Sequence, residues 1–409
     1  MDDLNTPGGA RGFNTRLSHL GRAGKRSAGF VNPPVSRGST VLAPTVAARQ
    51  DSRTHRAGRV LAYGLDGSTA HWALEDMIAD VEGGYRTTLV GSGLSAVTTA
   101  MLAFLKAGDH CLIADSVYGP TRRFADETLT QYGVTTTYYD PHVDRAGLAA
   151  LMRPNTSVVF TESPGSHTFE VQDISAIAAA AHAGGPPGGA KVLMDNTWGI
   201  HHFQPFRHGV DVSIQAVTKY PVGHSDVLIG AITVGNEEDW TRLHAMRRNL
   251  GQFAGPDDVW LTLRGMRTMG VRLARQQASA TEVAAWLATR PEIVSVLYPP
   301  LPGAPGHELW KRDFTGGCSL FGVVFHERFS VEASHHFCDT LDLFGIGSSW
   351  GGYESLAIPT SDSITRVVTR LAQKGPRVRL HVGLEDPADL IADLAQALDK
   401  MAAFDKAAG

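Results

Sequence analysis

Asp195 and Lys219 are the two ionisable residues whose positions first suggest chemistry. Apolar segments 192–194 and 210–217 precede them, so each residue stands at or just beyond the end of a buried type of strand. Ligands of open parallel sheets bind outside the C-terminal strand ends, which would bring the two side chains together. A desolvated lysine forms imines readily, and a nearby acid can hold a pyridinium nitrogen. This is the pairing that pyridoxal 5'-phosphate (PLP) requires.

Other predicted strands also end in turns that could serve a cofactor. Strand 87–90 leads into the turn 91–93, which opens a helix to about residue 106 and offers free backbone N–H groups to a phosphate. Strand 110–114 precedes the loop 115–119, where the ring of Tyr118 would either stack on a flat cofactor or lie at a solvent-exposed rim. Each signal is weak alone, because many α/β units carry such turns.

The order of these elements predicts the fold class. Strands alternate with helices from about residue 68 to 235, which is typical of a mostly parallel α/β sheet. A long helix over 257–290 and the strands and helices after it predict a smaller α+β domain. We therefore predict an extended N-terminal arm over 1–65, a large α/β domain over 66–265 and a small α+β domain over 266–409. Apolar residues of the arm are expected to lie on a neighbouring subunit.

Composition narrows the partners and the compartment. The 409 residues carry a formal net charge of −4, which indicates neither nucleic-acid nor anionic-membrane binding and favours a small-molecule substrate or another subunit. The three cysteines, Cys111, Cys318 and Cys338, are few and far apart, as expected in a reducing compartment. The polar start predicts no signal peptide, and no apolar run reaches membrane-spanning length. We expect a cytoplasmic protein.

Taken together, the loops resemble one family. Across residues 63–385 the chain is similar to the Cys/Met metabolism family of PLP-dependent enzymes, and within it to the bacterial cystathionine β-lyases. The matching segments are 63–64, 81–84, 92–94, 115–119, 162–166, 195–198, 215–220, 223–226, 349–355 and 379–385. The resemblance implies the type I (aspartate aminotransferase-like) PLP fold, with a mostly parallel large domain and a C-terminal α+β domain.

The resemblance also assigns cofactor-binding residues. It implies that Lys219 forms the imine with PLP, that Asp195 pairs with the pyridinium nitrogen and that Tyr118 stacks on the ring. The remaining implied contacts hold the phosphate, and they come from backbone groups of Gly93 and Leu94 and from the Thr218 hydroxyl. Tyr63 is implied to reach into the neighbouring subunit's site.

The implied substrate is an amino-acid thioether, and the implied activity is carbon–sulfur β-lysis. Arg379, helped by Ser349, would bind the substrate carboxylate, and Trp350 belongs to the β-lyase form of its motif. Lys219 would abstract the Cα proton, and either Lys219 or Tyr118 would protonate the leaving sulfur. Two alternatives stay open: a γ-position enzyme on the same scaffold, namely cystathionine γ-synthase, cystathionine γ-lyase or methionine γ-lyase, and a PLP-binding protein without lyase activity. A homotetramer built from dimers that share active sites is expected.

Two residues depart from the family pattern, both at the phosphate end. Leu65 replaces an arginine that usually reaches the phosphate across the subunit boundary, and Ala216 replaces a frequent serine. We expect compensation from Ser92, Ser95 or an arginine of the N-terminal arm. Of the histidines within the motifs, His381 is expected to pack behind the site.

Overall fold

Two sheets organise the residues that the computed structural model describes, which are 11–22, 29–54 and 59–408. The larger sheet contains β1 (Arg86–Val90), β2 (His110–Ala114), β3 (Thr135–Tyr139), β4 (Thr156–Glu162), β5 (Lys191–Asp195), β6 (Val212–Gln215) and β7 (Gly230–Val234). Its spatial order is β1-β7-β6-β5-β4-β2-β3. Pairings from β3 through β6 are parallel, whereas β7 runs antiparallel to both β6 and β1. The C-terminal ends of β2, β4, β5 and β6 therefore share one edge.

Helices precede and alternate with these strands along the chain. The N-terminal arm contains α1 (Phe13–His19) and α2 (Val46–Thr54). The helices that follow are α3 (Thr69–Glu82), α4 (Gly93–Phe104), α5 (Gly119–Arg123), α6 (Arg145–Leu151), α7 (Ile174–Ala183) and α8 (Glu237–Asn249). The start of α4 is fixed by Ser92, whose side chain accepts a hydrogen bond from the Ser95 N–H at 3.0 Å. The end of α3 is fixed by Gly83, which adopts a left-handed conformation with φ of 72°.

A second sheet forms the C-terminal part of the molecule. It contains β8 (Ile293–Leu297), β9 (Leu320–Phe325), β10 (Leu356–Pro359) and β11 (Arg377–His381), in the antiparallel order β10-β11-β9-β8. The helices of this half are α9 (Pro256–Leu287), α10 (His307–Asp313), α11 (Val331–Asp339) and α12 (Pro387–Ala408). The predicted boundary between residues 265 and 266 falls inside α9, which is one continuous helix of 32 residues. The domain limits stay a prediction.

The described part of the N-terminal arm contains helices as well as extended chain. Helix α1 packs on α9, and Arg267 of α9 donates hydrogen bonds of 2.6 Å to the carbonyls of Leu17 and Leu20. Leu42 and Val46 are largely exposed in the single chain, and the expectation that the arm lies on a neighbour stays a prediction. No helix in the described ranges is both long and apolar enough to cross a membrane.

Candidate active site

A cavity of about 450 Å³ opens at the shared strand edge and receives residues from both sheets. The large sheet and its loops contribute the first group of predicted site residues, and the C-terminal part contributes the second. The first group is Gly93, Leu94, Tyr118, Asp195, Thr218 and Lys219, and the second is Ser349, Trp350 and Arg379. Nine of the ten predicted site residues thus line one cavity; the tenth, Tyr63, lies outside its lining.

Lys219 follows β6 in a tight turn that is closed by two backbone hydrogen bonds. Its N–H donates to the Ala216 carbonyl at 3.0 Å, and its own carbonyl accepts from Gly223 at 2.8 Å. The turn ends the strand at Gln215, so the predicted strand 210–217 is shorter at both ends in the structure. The amine donates to Ser349 Oγ at 2.6 Å. Burial, reinforced by the Arg379 charge, lowers the pKa of Lys219 to about 8.

Asp195 ends β5 next to a hydroxyl that links it to the lysine turn. Thr197 donates to Asp195 Oδ1 from both its backbone N–H (3.0 Å) and its hydroxyl (2.6 Å), and the same hydroxyl accepts from the Ala216 N–H at 2.9 Å. Within the described residues no hydrogen bond ends on Asp195 Oδ2. Burial raises the pKa of Asp195, opposed by the Thr197 bonds and the Lys219 charge. One oxygen is therefore fixed and the other is available to a ligand.

A second acid, Glu162, stands beside Asp195. It is the last residue of β4 and pairs in parallel register with Asp195, so both side chains leave the same face of the sheet edge. Its Oε2 accepts the backbone N–H of Tyr118 at 2.7 Å. Burial first, and then the Asp195 charge, raises the pKa of Glu162 well above its usual range. The segment 162–166 was part of the sequence resemblance, but the role of Glu162 was missed because register between distant strands is invisible in sequence.

Tyr118 forms one wall of the cavity. It is the N-cap residue of α5, makes no capping hydrogen bond with its side chain, and is 42% exposed. Because the cavity is lined on other sides by Asp195 and Lys219, a flat ring bound there would face the phenol. Burial, with the charges of Asp195 and Glu162, raises the pKa of Tyr118. The phenol therefore keeps its proton at neutral pH.

The start of α4 forms the far end of the cavity. Among the described residues, no partner accepts from the backbone N–H groups of Gly93 and Leu94, which stand at the positive end of a 12-residue helix. A Cβ on Gly93 would come within 2.6 Å of Ala216 Cβ, so glycine permits this close approach. Thr218 also lines the cavity, but its hydroxyl donates to the Ile229 carbonyl (3.1 Å) and accepts from the Ile229 N–H (2.9 Å).

Arg379 and Ser349 meet at the opposite end. Arg379, on β11, donates from Nη2 to the Ser349 carbonyl at 2.9 Å. Ser349 has a φ of +84°, a left-handed conformation that is costly for serine. Its carbonyl faces the guanidinium while its hydroxyl faces Lys219. Burial lowers the pKa of Arg379 to about 10, so the side chain stays charged at neutral pH.

Trp350 closes the site beside the lysine. Its ring centre lies 5.2 Å from Lys219 Nζ and 5.5 Å from the Tyr220 ring centre. His167 and Ser363 line the cavity as well, and sequence reasoning missed both. His167 has a φ of +62° and lies close enough to Arg379 for that charge, together with burial, to lower its pKa to about 4. No residue-type pattern marked either position.

Tyr63 and Leu65 lie away from this cavity. Tyr63 is 48% exposed and lines a second cavity of about 300 Å³ within the arm, together with Arg49 of α2 and Ser52. Leu65 belongs to a short turn in which Asp66 accepts a hydrogen bond from Arg248. Neither residue reaches the site of its own chain, so the prediction that Tyr63 serves a neighbouring subunit stays a prediction.

The residues present fit PLP. Asp195 offers a free oxygen for a pyridinium nitrogen, and the Gly93 and Leu94 N–H groups offer unpaired donors for a phosphate. Lys219 lies between them with a lowered pKa, which raises the share of free amine. This arrangement can hold a flat aldehyde cofactor with an anionic tail, and Arg379 can anchor a carboxylate next to it.

Comparisons with known proteins agree with this geometry. Residues 14–399 match the family described as Cys/Met metabolism PLP-dependent enzyme. Cystathionine beta-lyase MetC of Escherichia coli K12 is 40% identical over 386 residues, covering 93% of this chain and 97% of that protein. L-alanine/L-glutamate racemase of Wolbachia pipientis is 38% identical over 396 residues, covering 94% and 96%. The crystal structure of metB from Corynebacterium glutamicum superposes with a TM-score of 0.86 at 30% identity, covering 96% and 99%. The predicted fold class is confirmed, while the relatives' names differ in reaction.

Proposed function

The chain belongs to the Cys/Met metabolism family of PLP-dependent enzymes, and from that premise we propose that it is a carbon–sulfur β-lyase. Its proposed substrates are L-cystathionine and related cysteine S-conjugates, and its products are homocysteine or another thiol, pyruvate and ammonia. The observation that carries the proposal is the contact of Lys219 Nζ with Ser349 Oγ at 2.6 Å, while the Ser349 carbonyl accepts from Arg379. A base and a carboxylate anchor are thereby held side by side.

Substrate binding begins at Arg379. One N–H of Nη2 donates to the Ser349 carbonyl, and among the described residues the other guanidinium N–H groups make no hydrogen bond, so they are available to the substrate carboxylate. The small residue Ser349 keeps that carboxylate close to the lysine amine. With its carboxylate fixed there, the substrate presents the proton on its α carbon to Lys219.

Proton transfer then depends on Lys219. PLP, when bound, supplies an electron sink for the carbon from which the proton leaves. The lowered pKa of Lys219 favours its acting as a base near neutral pH, because more of the amine is uncharged than in water. After accepting the proton, Lys219 can return it to the departing sulfur. The Tyr118 hydroxyl is the other candidate donor, since it faces the cavity and keeps its proton.

Trp350 supports β- rather than γ-position chemistry. Its ring occupies the side of the cavity next to the lysine amine, 5.2 Å from Nζ. This bulk limits the space in which a lysine could swing from the α carbon to a proton on the next carbon. An aliphatic residue at this position would leave that space open.

A product assay tests the proposal. Purified enzyme with PLP and L-cystathionine should release pyruvate and homocysteine in equal amounts. Release of 2-oxobutyrate and cysteine instead would indicate a γ-lyase, and 2-oxobutyrate with methanethiol from methionine would indicate methionine γ-lyase. Racemisation of L-alanine without pyruvate release, or a bound-cofactor absorbance band without any turnover, would likewise contradict it. Trp350→Leu is the matched variant, and we expect it to raise the ratio of 2-oxobutyrate to pyruvate.

We also propose that the enzyme is a cytoplasmic homotetramer built from dimers that share active sites. The exposed arm residues and the location of Tyr63 outside its own cavity support shared sites. Three buried cysteines without a disulfide support a reducing compartment. Mass measurement in solution should give four chains, and mixing an inactive Lys219→Ala chain with an inactive Tyr63→Ala chain should restore part of the activity. Failure to restore activity in mixed dimers would contradict the shared site.

A further inference from the structure

His381 connects the three segments that carry the amine end of the site. It lies on β11 two residues after Arg379 and is 1% exposed. Its Nε2 accepts the backbone N–H of Gly351 at 3.1 Å, and its Nδ1 lies 3.1 Å from Ser319 Oγ. Gly351 follows Ser349 and Trp350 directly. The imidazole is thus joined at one nitrogen to the loop that holds the lysine's partner.

The hydrogen-bond donors fix the tautomer. Gly351 N–H can only donate, so Nε2 carries no proton and Nδ1–H donates to Ser319 Oγ. The Gly352 carbonyl, 3.3 Å from Nε2, already accepts from Gln276 at 2.6 Å and does not need the imidazole. Burial, with the nearby charges of Arg379 and Lys219, lowers the pKa of His381 to about 3. The ring is therefore neutral with fixed donor and acceptor ends.

The other end of the network reaches the lysine turn. Ser319 Oγ lies 3.1 Å from the Tyr220 hydroxyl, which also accepts the Ser319 N–H at 2.9 Å. Tyr220 is fully buried and directly follows Lys219. A Cβ on Gly351 would come within 2.8 Å of Tyr220 N and 2.9 Å of the Lys219 carbonyl carbon, so the two segments also touch. Moving either one would move the 2.6 Å contact between Lys219 and Ser349.

We propose that His381 is a positioning residue that sets the distance between the Lys219 turn and the Ser349–Trp350 loop. His381 lies on β11, the strand that also carries Arg379. Its Nε2 accepts a hydrogen bond from the Gly351 N–H on the loop side, and its Nδ1–H donates one to Ser319 Oγ on the side of the lysine turn. A leucine here would leave the Gly351 N–H without its partner and would remove one of the two side-chain contacts of the Ser319 hydroxyl, the other being with Tyr220. The loop would then relax, and Ser349 would no longer hold the amine in place. Displacements of about 1 Å in such constellations cost roughly 10²-fold in rate.

The test compares His381→Leu with His381→Gln, His381→Asn and a matched control. Glutamine can place an amide oxygen near Nε2 and keep the Gly351 bond, whereas asparagine reaches only the Nδ1 side. The control is His110→Leu, because His110 is equally buried and makes two side-chain hydrogen bonds, at 2.7 Å to Thr156 and 2.9 Å to Thr137, outside the cavity lining. The readouts are the pH midpoint of the bound-cofactor absorbance band, kcat and KM on cystathionine, and the melting temperature.

We expect His381→Leu to shift the band midpoint by about one pH unit or more and to lower kcat roughly 10²-fold with a much smaller change in KM. His381→Gln should lie closer to wild type than His381→Asn, and His110→Leu should lower only the melting temperature. An unchanged midpoint in His381→Leu, or an equal shift in His110→Leu, would overturn the proposal. If the leucine variant does not fold, the glutamine and asparagine variants decide the question. The proposal is overturned if both variants shift the band midpoint equally, or if the asparagine variant lies closer to wild type. The midpoint needs no substrate, so it is independent of the proposed β-lyase activity, on which only the kinetic readout rests.

Discussion

The two ends of the cavity are built from different chemical groups. At the amine end, side chains from both sheets make short directed contacts, with Lys219 2.6 Å from Ser349 Oγ and Arg379 2.9 Å from the Ser349 carbonyl. At the end that we propose for the phosphate, the available donors are the backbone N–H groups of Gly93 and Leu94. Both cations among the described lining residues, Lys219 and Arg379, point to the amine end. Main-chain donors survive side-chain replacement, so the proposed phosphate end could keep its donors despite Leu65 and Ala216.

The largest effect should come from removing the lysine. Lys219→Ala should abolish the bound-cofactor absorbance band and lower turnover by roughly 10³-fold or more, because we propose this residue as both the attachment point and the base. Absorbance spectra and pyruvate release measure the two functions separately. PLP added to the variant should still bind weakly through the phosphate end, which equilibrium dialysis can detect. A retained band would refute the central role of Lys219.

The pH dependence of cofactor capture probes the same end. A neutral amine attacks the PLP aldehyde, and the pKa of Lys219 is lowered from about 10.5 to about 8. Below pH 8 the capture rate should therefore rise about tenfold per pH unit, and above pH 8 it should level off. Stopped-flow absorbance of the cofactor-free protein mixed with PLP measures this. A midpoint near 10.4, as for a lysine side chain in a short peptide, would contradict the burial argument.

Arg379→Lys keeps the charge but removes the bidentate fork. We expect KM for cystathionine to rise roughly 10- to 100-fold, since hydrogen bonds to charged groups contribute about 1.5–3 kcal/mol each. PLP affinity should hardly change, because Arg379 lies at the opposite end from the phosphate donors. A matched loss of PLP affinity, measured by spectral titration, would show that the two ends are less separate than we describe.

PLP affinity should depend on an arginine of the N-terminal arm. Arg49 shares the second cavity with Tyr63, and its side chain has no hydrogen-bond or ion-pair partner within the described residues, whereas Arg37 pairs with Asp257 at 2.6 Å. If Arg49 supplies the missing cation across a subunit boundary, Arg49→Ala should weaken PLP binding roughly tenfold without changing the absorbance maximum. Arg37→Ala is the control and should leave PLP affinity unchanged. If the Arg49→Ala and wild-type proteins bind PLP with equal affinity, Arg49 does not bind the phosphate, and the backbone N–H groups remain its proposed donors.

Glu162→Gln should have the smallest effect. Burial raises the pKa of Glu162 well above its usual range and so favours the uncharged carboxyl, and an amide of the same shape can still accept the Tyr118 N–H. We expect PLP affinity and kcat to change less than about threefold, whereas Glu162→Ala should lose roughly fivefold by leaving that N–H unpaired. A glutamine variant as impaired as the alanine variant would indicate that Glu162 acts as an anion. Spectral titration and pyruvate release distinguish these cases.

The periodicity of apolar residues and the turn residues between them predicted many of the strands and helices. Strand 110–114 was predicted with the limits found, and the long helix 257–290 is present as Pro256–Leu287. Strand direction was not predictable, because β7 carries the same kind of apolar run as its parallel neighbours yet runs antiparallel to β6 and β1. Edge strand β10 was missed, since it has four residues and ends in proline.

The residues of the candidate site likewise fall into those that the sequence predicted and those that it did not. Lys219, Asp195 and Arg379 were found from residue type, position at strand ends and the family resemblance, and the cavity brings them together. Thr197 as a bridge, Glu162 as a neighbour of Asp195 and His381 as a link between loops depend on register and on contacts between segments far apart in sequence. Such relations arise from packing of the whole chain, so no local signal announces them.

The two-sheet construction of the cavity has a consequence for how new reactions can arise on this scaffold. The proposed attachment residue Lys219 follows a strand of the large sheet, whereas the proposed carboxylate anchor on β11 and the loop with Ser349 and Trp350 belong to the C-terminal part. Mutations in that part can alter which bond is placed beside the amine while PLP remains held. The scaffold is modular in this sense, and a change of specificity does not require rebuilding the chemistry that it directs.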